Sequence, residues 1–272
     1  MIAENTVNQM DALELLRALP EASVDCVLTD PPYGTTDLSW DKSVDWSMLW
    51  PELARVITQR GAIVVTAQNP FAAELIVSNR KMFRYEWVWE KNRPGGFVNA
   101  AVQPMRAHEL ILVFSHSLHV NGAHADRLMN YFPQTTKGIL RGPRSGIVPK
   151  HYHGASVFTT IDSGLRLPWS VINIGSDHSS TVHPTQKPVA LFEYLIRTYT
   201  RPGDLVVDPF CGSGTTGVAA RQLDRRFIMG DTSEEYVAIA RRRVTEPFTP
   251  QMFPETDAVD DAPRQVEMFQ EA

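Results

Sequence analysis

The sequence predicts an α/β fold, a doubly wound and mostly parallel sheet with helices on both faces, and three observations predict it. Short β-branched and apolar runs bounded by Asp, Gly or Pro recur along the chain. These runs are continuously apolar instead of alternating, so the sheet they build is buried on both sides. Helical patterns with a 3.6-residue period lie between several of them.

Six runs read as strands: Val24 to Thr29, Ala62 to Thr66, Tyr85 to Trp89, Glu109 to Phe114, Leu205 to Asp208 and Phe227 to Gly230. No clear helical pattern separates Tyr85 to Trp89 from Glu109 to Phe114, so those two are expected to form an antiparallel pair at a sheet edge. Ala12 to Leu19 reads as a helix. From Pro188 onward, Val189, Phe192, Leu195, Ile196 and Tyr199 share one helical face, and Pro188 suits a first turn because its missing N–H has no partner there. A helical pattern also runs from Thr215 to Leu223. The last helix starts at Ser233 as N-cap, sets Glu234 and Glu235 at the positive end of its dipole and ends on Arg241, Arg242 and Arg243. Trp40, Trp46 and Trp50 have a spacing used more often for packing than for a loop over a substrate.

The 272 residues are 43% apolar and 21% charged, which excludes a chain disordered throughout. Cys26 and Cys211 allow at most one bridge, which excludes a disulfide-stapled scaffold and fits a reducing, cytoplasmic setting. No run of Cys and His has metal-ligand spacing. Apolar stretches such as Ile111 to Phe114 fall far short of the ~20 residues that span a bilayer, and the first residues carry no export-signal pattern. The net charge of −5 is uneven: residues 245–272 hold seven acids against Arg264 alone, leaving +1 for the rest. Residues 117–170 carry Arg127, Lys137, Arg141, Arg144, Lys150 and Arg166 against Asp126 and Asp162, a local +4 compatible with DNA. This segment has little periodicity, as functional insertions often do. The Pro-containing acidic tail is expected to be largely disordered.

Two motifs carry chemistry. In the first, Leu205 to Asp208 runs into DPFCGSGTT and then a helical pattern, so the chain turns sharply through Gly212 and Gly214. Such a turn lets backbone approach a ligand closely and aims free N–H groups at it. Asp231 follows nineteen residues after Gly212, at the end of the next strand, where a carboxylate accepts from ribose hydroxyls. The pattern therefore predicts a nucleoside cofactor, against the alternative of a tight turn that only packs strand on helix. A third glycine and a Gly-Lys-Ser/Thr are both missing, which disfavours a dinucleotide and a triphosphate.

In the second motif, Val24 to Thr29 ends in Asp30, Pro31, Pro32 and Tyr33. Two prolines fix φ and remove two donors, leaving stiff carbonyls as free acceptors beside a carboxylate and an aromatic ring. This set suits a planar base with an exocyclic NH2. If Asp30 and the Pro31 carbonyl accept both amine hydrogens, the nitrogen becomes more pyramidal and its lone pair can face an electrophile, while Tyr33 stacks on the ring. The bland alternative is a proline-stiffened loop capped by Asp30.

DPPYG at 30–34, HPTQKP at 183–188 and DPFCGSGTT at 208–216, in that order, resemble the motifs of amino-methylating DNA methyltransferases that use S-adenosylmethionine. Their order resembles the circularly permuted beta group. The likeness covers nearly all of residues 5–245 and is weakest between about 117 and 165. It implies a Rossmann-like methyltransferase fold with a seven-stranded sheet, an antiparallel edge strand and an irregular target-recognition insertion. The implied division is a catalytic half over 1–116, target recognition over 117–170, a cofactor half over 171–245 and a tail over 246–272. It further implies that Asp208, Phe210, Cys211, Gly212, Ser213, Gly214 and Thr215 surround the cofactor, that Asp231 holds its ribose, and that Thr185, Gln186 and Lys187 lie over its methionine end. Asp11 resembles the acid that accepts from the cofactor's adenine amine, and it reads equally well as the N-cap of the first helix. Asp231 stands where Glu is more usual, keeping the charge with a shorter reach.

By the same resemblance the partner is double-stranded DNA, the chain forms a homodimer, no metal takes part, and Asp at the head of the tetrapeptide favours adenine N6 over cytosine N4. His183 reads as a structural residue and Cys211 as a small apolar filler. The rival readings are an RNA or protein-amide methyltransferase, a DNA-binding module without catalysis, and a dehydrogenase.

Overall fold

The computed structural model describes residues 2–34, 44–119, 127–140, 142, 144–147, 157–160, 163–175 and 186–247, with the backbone alone for 144–147 and 157–160. In chain order the strands are β1 (Thr6–Gln9), β2 (Val24–Thr29), β3 (Ile57–Ala67), β4 (Phe83–Gly95), β5 (Arg106–Phe114), β6 (Thr136–Lys137), β7 (Arg144–Ile147), β8 (Val157–Thr160), β9 (Leu165–Arg166), β10 (Val171–Asn173), β11 (Leu205–Asp208) and β12 (Arg226–Asp231). The helices are α1 (Ala12–Arg17), α2 (Trp46–Val56), α3 (Phe71–Ser78), α4 (Val189–Tyr199), α5 (Thr215–Gln222) and α6 (Glu234–Thr245).

Among the described residues eight strands form one sheet in the order β1-β12-β11-β2-β3-β5-β4-β10. Every neighbouring pair is parallel except β3–β5 and β5–β4. The antiparallel strand foreseen from the missing helix is β5, which lies between β3 and β4, and the short β10 adds parallel to β4 and takes the sheet edge from that pair. That addition brings the sheet to eight strands where the resemblance implied seven. β6 pairs β9 and β7 pairs β8 in two small sheets within the 117–170 segment.

Successive side chains of a strand point to opposite faces, and the core divides accordingly. Cys26 and Leu28 of β2 and Val206 of β11 pack with Leu191, Phe192, Ala219 and Val237 from α4, α5 and α6. Val24 and Val27 of β2 and Val207 of β11 pack with Leu15, Leu16, Leu53 and Leu75 from α1, α2 and α3. Both faces are therefore apolar, which is why the strands read as continuous hydrophobic runs. Trp46 and Trp50 are buried in α2 against Phe71 and Phe114, a packing role, while Trp40 lies outside the described residues.

From β11 the chain passes through α5 to β12 on one side, and from β2 through α2 to β3 on the other. The direction of winding reverses between β2 and β11, and a crevice opens outside their carboxyl ends at such a switch point. Asp30 and Asp208 stand at those two ends. Among the described residues no helix is long and apolar enough to cross a membrane.

Candidate active site

The two motifs meet at the switch point. Thr29 Oγ1 donates to Asp208 Oδ1 at 2.7 Å, tying the last residue of β2 to the last of β11. Asp208 is 2% exposed, and it also accepts from the Phe210 N–H at 3.0 Å and from Thr216 Oγ1. Burial pushes its carboxyl up to about 7 against these hydrogen bonds, and the nearby charge of Asp30 pushes the same way. Both its oxygens are engaged within the protein, so Asp208 holds the start of the glycine turn in place.

Gly212 and Gly214 have φ of 48° and 84°, in the left-handed region that glycine enters without a Cβ penalty. A Cβ on Gly214 would lie 2.7 Å from Ala240 Cβ, so the absent side chain lets α6 close against the turn. A Cβ on Gly212 would meet nothing within 4 Å, so that backbone faces open space. Asp231, at the end of β12, accepts from the Gly212 N–H and from the Ser233 N–H, each at 2.9 Å. Arg243 of α6 braces the turn by donating to the Ser213 carbonyl at 2.7 Å. Cys211 is buried, and burial together with Asp208 and Asp231 raises its thiol, which suits a filler and not a nucleophile. Asp11 is the N-cap of α1, its Oδ1 accepting from the Leu13 N–H at 2.8 Å.

At the corner, Tyr33 donates to Asp30 Oδ1 at 2.7 Å, and Thr66 Oγ1 at the end of β3 donates to the same oxygen. The Tyr33 ring stacks on Phe71 with centroids 5.2 Å apart. Pro31 is buried and Pro32 half-buried. Lys187 comes from the residues just before α4 and places its Nζ 2.8 and 2.7 Å from the two oxygens of Asp30, 3.2 Å from Glu109 Oε2 and 5.7 Å from the Tyr33 ring centroid. Lys91 Nζ donates to Glu109 Oε1 at 3.1 Å. Among the described residues, Lys91, Glu109, Lys187 and Asp30 thus alternate in charge along the corner. Burial pulls the Lys187 ammonium down, but Asp30, Tyr33 and Glu109 outweigh it and hold its pKa well above the ordinary lysine value. Burial likewise raises Glu109, and Lys187 with Lys91 more than reverses the shift.

Gln186 joins the two halves. Ser213 Oγ donates to Gln186 Oε1 at 3.3 Å, and the very next residue is the lysine on Asp30. One dipeptide thereby links the glycine turn to the acceptor corner. Thr185, His183, Arg141 and Lys150 lie outside the described residues, and of Arg144 only the backbone in β7 is described. Arg127 is exposed, Lys137 is exposed in β6, and Arg166 in β9 donates to the Ile139 carbonyl.

Thr66, Lys91 and Glu109 were not among the residues singled out from the sequence. Glu109 leaves a trace there, as a lone acid opening an apolar strand, but its partners come from distant segments. The hairpin that rises from Lys91 and Glu109 was missed as well. Every residue from Asn92 to His108 is exposed, including Phe97, Val98 and Val102, and Arg93 and Arg106 meet no acid within 92–108. Arg106 Nη1 anchors the hairpin to Gln68, just beyond β3, at 2.5 Å.

A doubly wound sheet whose switch point sets an acceptor-rich corner beside a glycine turn, with a carboxylate at the end of the next strand, defines a Rossmann-like methyltransferase. Residues 24–242 match the family described as DNA methylase, the N6/N4 methyltransferases, and the chain belongs to that family. It is 28% identical over 251 residues to the DNA adenine methyltransferase YhdJ of Escherichia coli (strain K12), over 88% of this chain and 82% of the relative. The solved structure of M1.HpyAVI in complex with SAM matches with a TM-score of 0.57 at 25% identity, over 88% of this chain and 98% of that one. The cytosine-N4-specific PvuII DNA methyltransferase matches with a TM-score of 0.63 over 99% of this chain and 95% of that one, a likeness of fold at 20% identity. The protein is a DNA methyltransferase of the amino-methylating superfamily.

Proposed function

We propose that the enzyme methylates the N6 amine of an adenine turned out of duplex DNA, with S-adenosylmethionine as methyl donor. The observation that carries this reading is the Asp30 carboxylate at the switch point, beside an aromatic ring and joined through Gln186 and Lys187 to the glycine turn. The turn fits the donor: open space over Gly212 and a carboxylate at the end of β12 for the ribose hydroxyls. S-adenosylmethionine supplies an electrophilic sulfonium methyl when bound.

The protein's own groups do the rest. Asp30 and the Pro31 carbonyl accept the two amine hydrogens and turn the lone pair outward, while Tyr33 bounds the ring. Thr66 and Tyr33 fix the carboxylate's orientation, so little reorganisation is needed when the base arrives. Extruding the base costs a few kcal/mol in lost stacking and pairing. The acid-free exposed hairpin beside the pocket is a surface a phosphate backbone can approach. Residues 117–170 read the target, with Arg127, Lys137, Arg141, Arg144, Lys150 and Arg166 as contacts to phosphates and guanine edges.

Adenine is favoured over cytosine by the leading Asp of the DPPY tetrapeptide and by the relative named as an adenine methyltransferase. Incubation with labelled S-adenosylmethionine and a mixed-sequence duplex, followed by mass spectrometry of the nucleosides, is the test. N6-methyladenine is the expected product; N4-methylcytosine would overturn the choice of amine, and no methylated nucleoside would overturn the reading. Asp30→Ala should abolish transfer while leaving cofactor binding by calorimetry intact.

A further inference from the structure

Lys187 stands in the way of the chemistry just described. A base amine must donate to Asp30, but Asp30 Oδ1 already accepts from Tyr33, Thr66 and Lys187, and Oδ2 accepts from Lys187. The same ammonium stands 5.7 Å over the Tyr33 ring. A protonated amine on the acceptor corner imitates the donor that the substrate will bring.

The Lys187 side chain is 8% exposed, so on leaving Asp30 its ammonium cannot simply return to water. Taking one partner from a buried ion pair costs several kcal/mol if nothing replaces it. A replacement is in place. Glu109 Oε2 is buried, has no hydrogen-bond partner of good geometry, and lies 3.2 Å from Lys187 Nζ. Its sister oxygen is held by Lys91, which keeps the carboxylate from turning away.

We infer that Glu109 is a positioning residue that retains Lys187 when the target amine claims Asp30, so that the ammonium passes from being shared by Asp30 and Glu109 to being held by Glu109 without Asp30. The inference rests on the reading of Asp30 as the amine acceptor. It makes the ammonium a competitor of the substrate: a ring without the exocyclic amine cannot displace it, and a base with two N–H donors can. Lys187 would then hold the empty corner closed at a cost in affinity for the amine-bearing base, in addition to any contact with the cofactor.

The test is a binding measurement without cofactor, on a duplex carrying the site that the wild-type enzyme methylates and on the same duplex with purine, which lacks the amine, at the target position. The wild type should prefer the amine-bearing duplex. Glu109→Gln removes the retaining charge and should reduce that preference about tenfold, the size of one charge-assisted hydrogen bond, with the cofactor Kd unchanged by calorimetry. Lys187→Met removes the competitor and should raise the preference above wild type; the double variant should resemble Lys187→Met. A Glu109→Gln preference equal to wild type, or a fall in preference on Lys187→Met, overturns the inference. If Glu109→Gln fails to fold, the Lys187→Met arm decides. A wild type that methylates no DNA would instead remove the underlying reading.

Discussion

The two glycines of the turn allow packing to be separated from ligand contact by one pair of substitutions. At Gly214, φ of 84° costs a non-glycine residue roughly 1–2 kcal/mol. The added methyl would also lie 2.7 Å from Ala240 Cβ and 3.0 Å from its Cα. These atoms belong to a helix backbone and its first carbon, so α6 as a unit must retreat, and overpacking of this kind costs roughly 1–3 kcal/mol. Gly214→Ala should therefore lose roughly 2–5 kcal/mol, which for a chain of this size lowers the melting temperature by roughly 5–15 °C. At Gly212, φ is 48° and nothing lies within 4 Å of the new methyl, so the backbone term stands alone. Gly212→Ala should melt roughly 3–6 °C below wild type. Its methyl projects into the space assigned to the cofactor, so S-adenosylmethionine affinity by calorimetry should fall severalfold or more. Thermal melts and titrations of the two variants are the assay. A Gly214→Ala protein as stable as wild type would refute the packing argument, and undiminished cofactor affinity in Gly212→Ala would refute the turn as its cradle.

Three further outcomes follow from the buried polar groups. Burial raises Asp208 from 3.8 to about 7, so the folded chain holds this proton where the unfolded chain has lost it. The stability it brings is fully present below about pH 4 and lost as pH rises through about 7. Asp208→Asn should flatten the fall in melting temperature across that window, and parallel profiles for variant and wild type would contradict the shift. Tyr199 Oη accepts from Trp87 Nε1 at 2.6 Å between β4 and α4. Tyr199→Phe orphans that buried donor at a cost of about 1–3 kcal/mol in denaturant unfolding, and adding Trp87→Phe should recover part of it. Asp231→Ala removes the acceptor for the Gly212 and Ser233 N–H groups as well as the proposed ribose acceptor, and calorimetry should show weaker cofactor binding.

Local chemistry was legible in the linear chain because it is set by neighbours a few residues away. The apolar runs of β2, β11 and β12, the Ser233 cap of α6, the left-handed turn at Gly212 and Gly214 and the stiff corner at Pro31 and Pro32 each follow from adjacent residue types. Strand order did not, because parallel pairing joins segments as distant as Val27 and Val207, and no local preference encodes which strands become neighbours. β1 and β10 were missed because four and three residues are too few to show a period. The same reason governs the site. Asp30, Thr66, Glu109 and Lys187 are separated by tens of residues, and only the winding reversal between β2 and β11 brings the corner to the turn. Residue types determined which groups accept, donate or bend; burial and topology decided which of them share one pocket, because Coulomb and hydrogen-bond energies depend on distance in space and not along the chain.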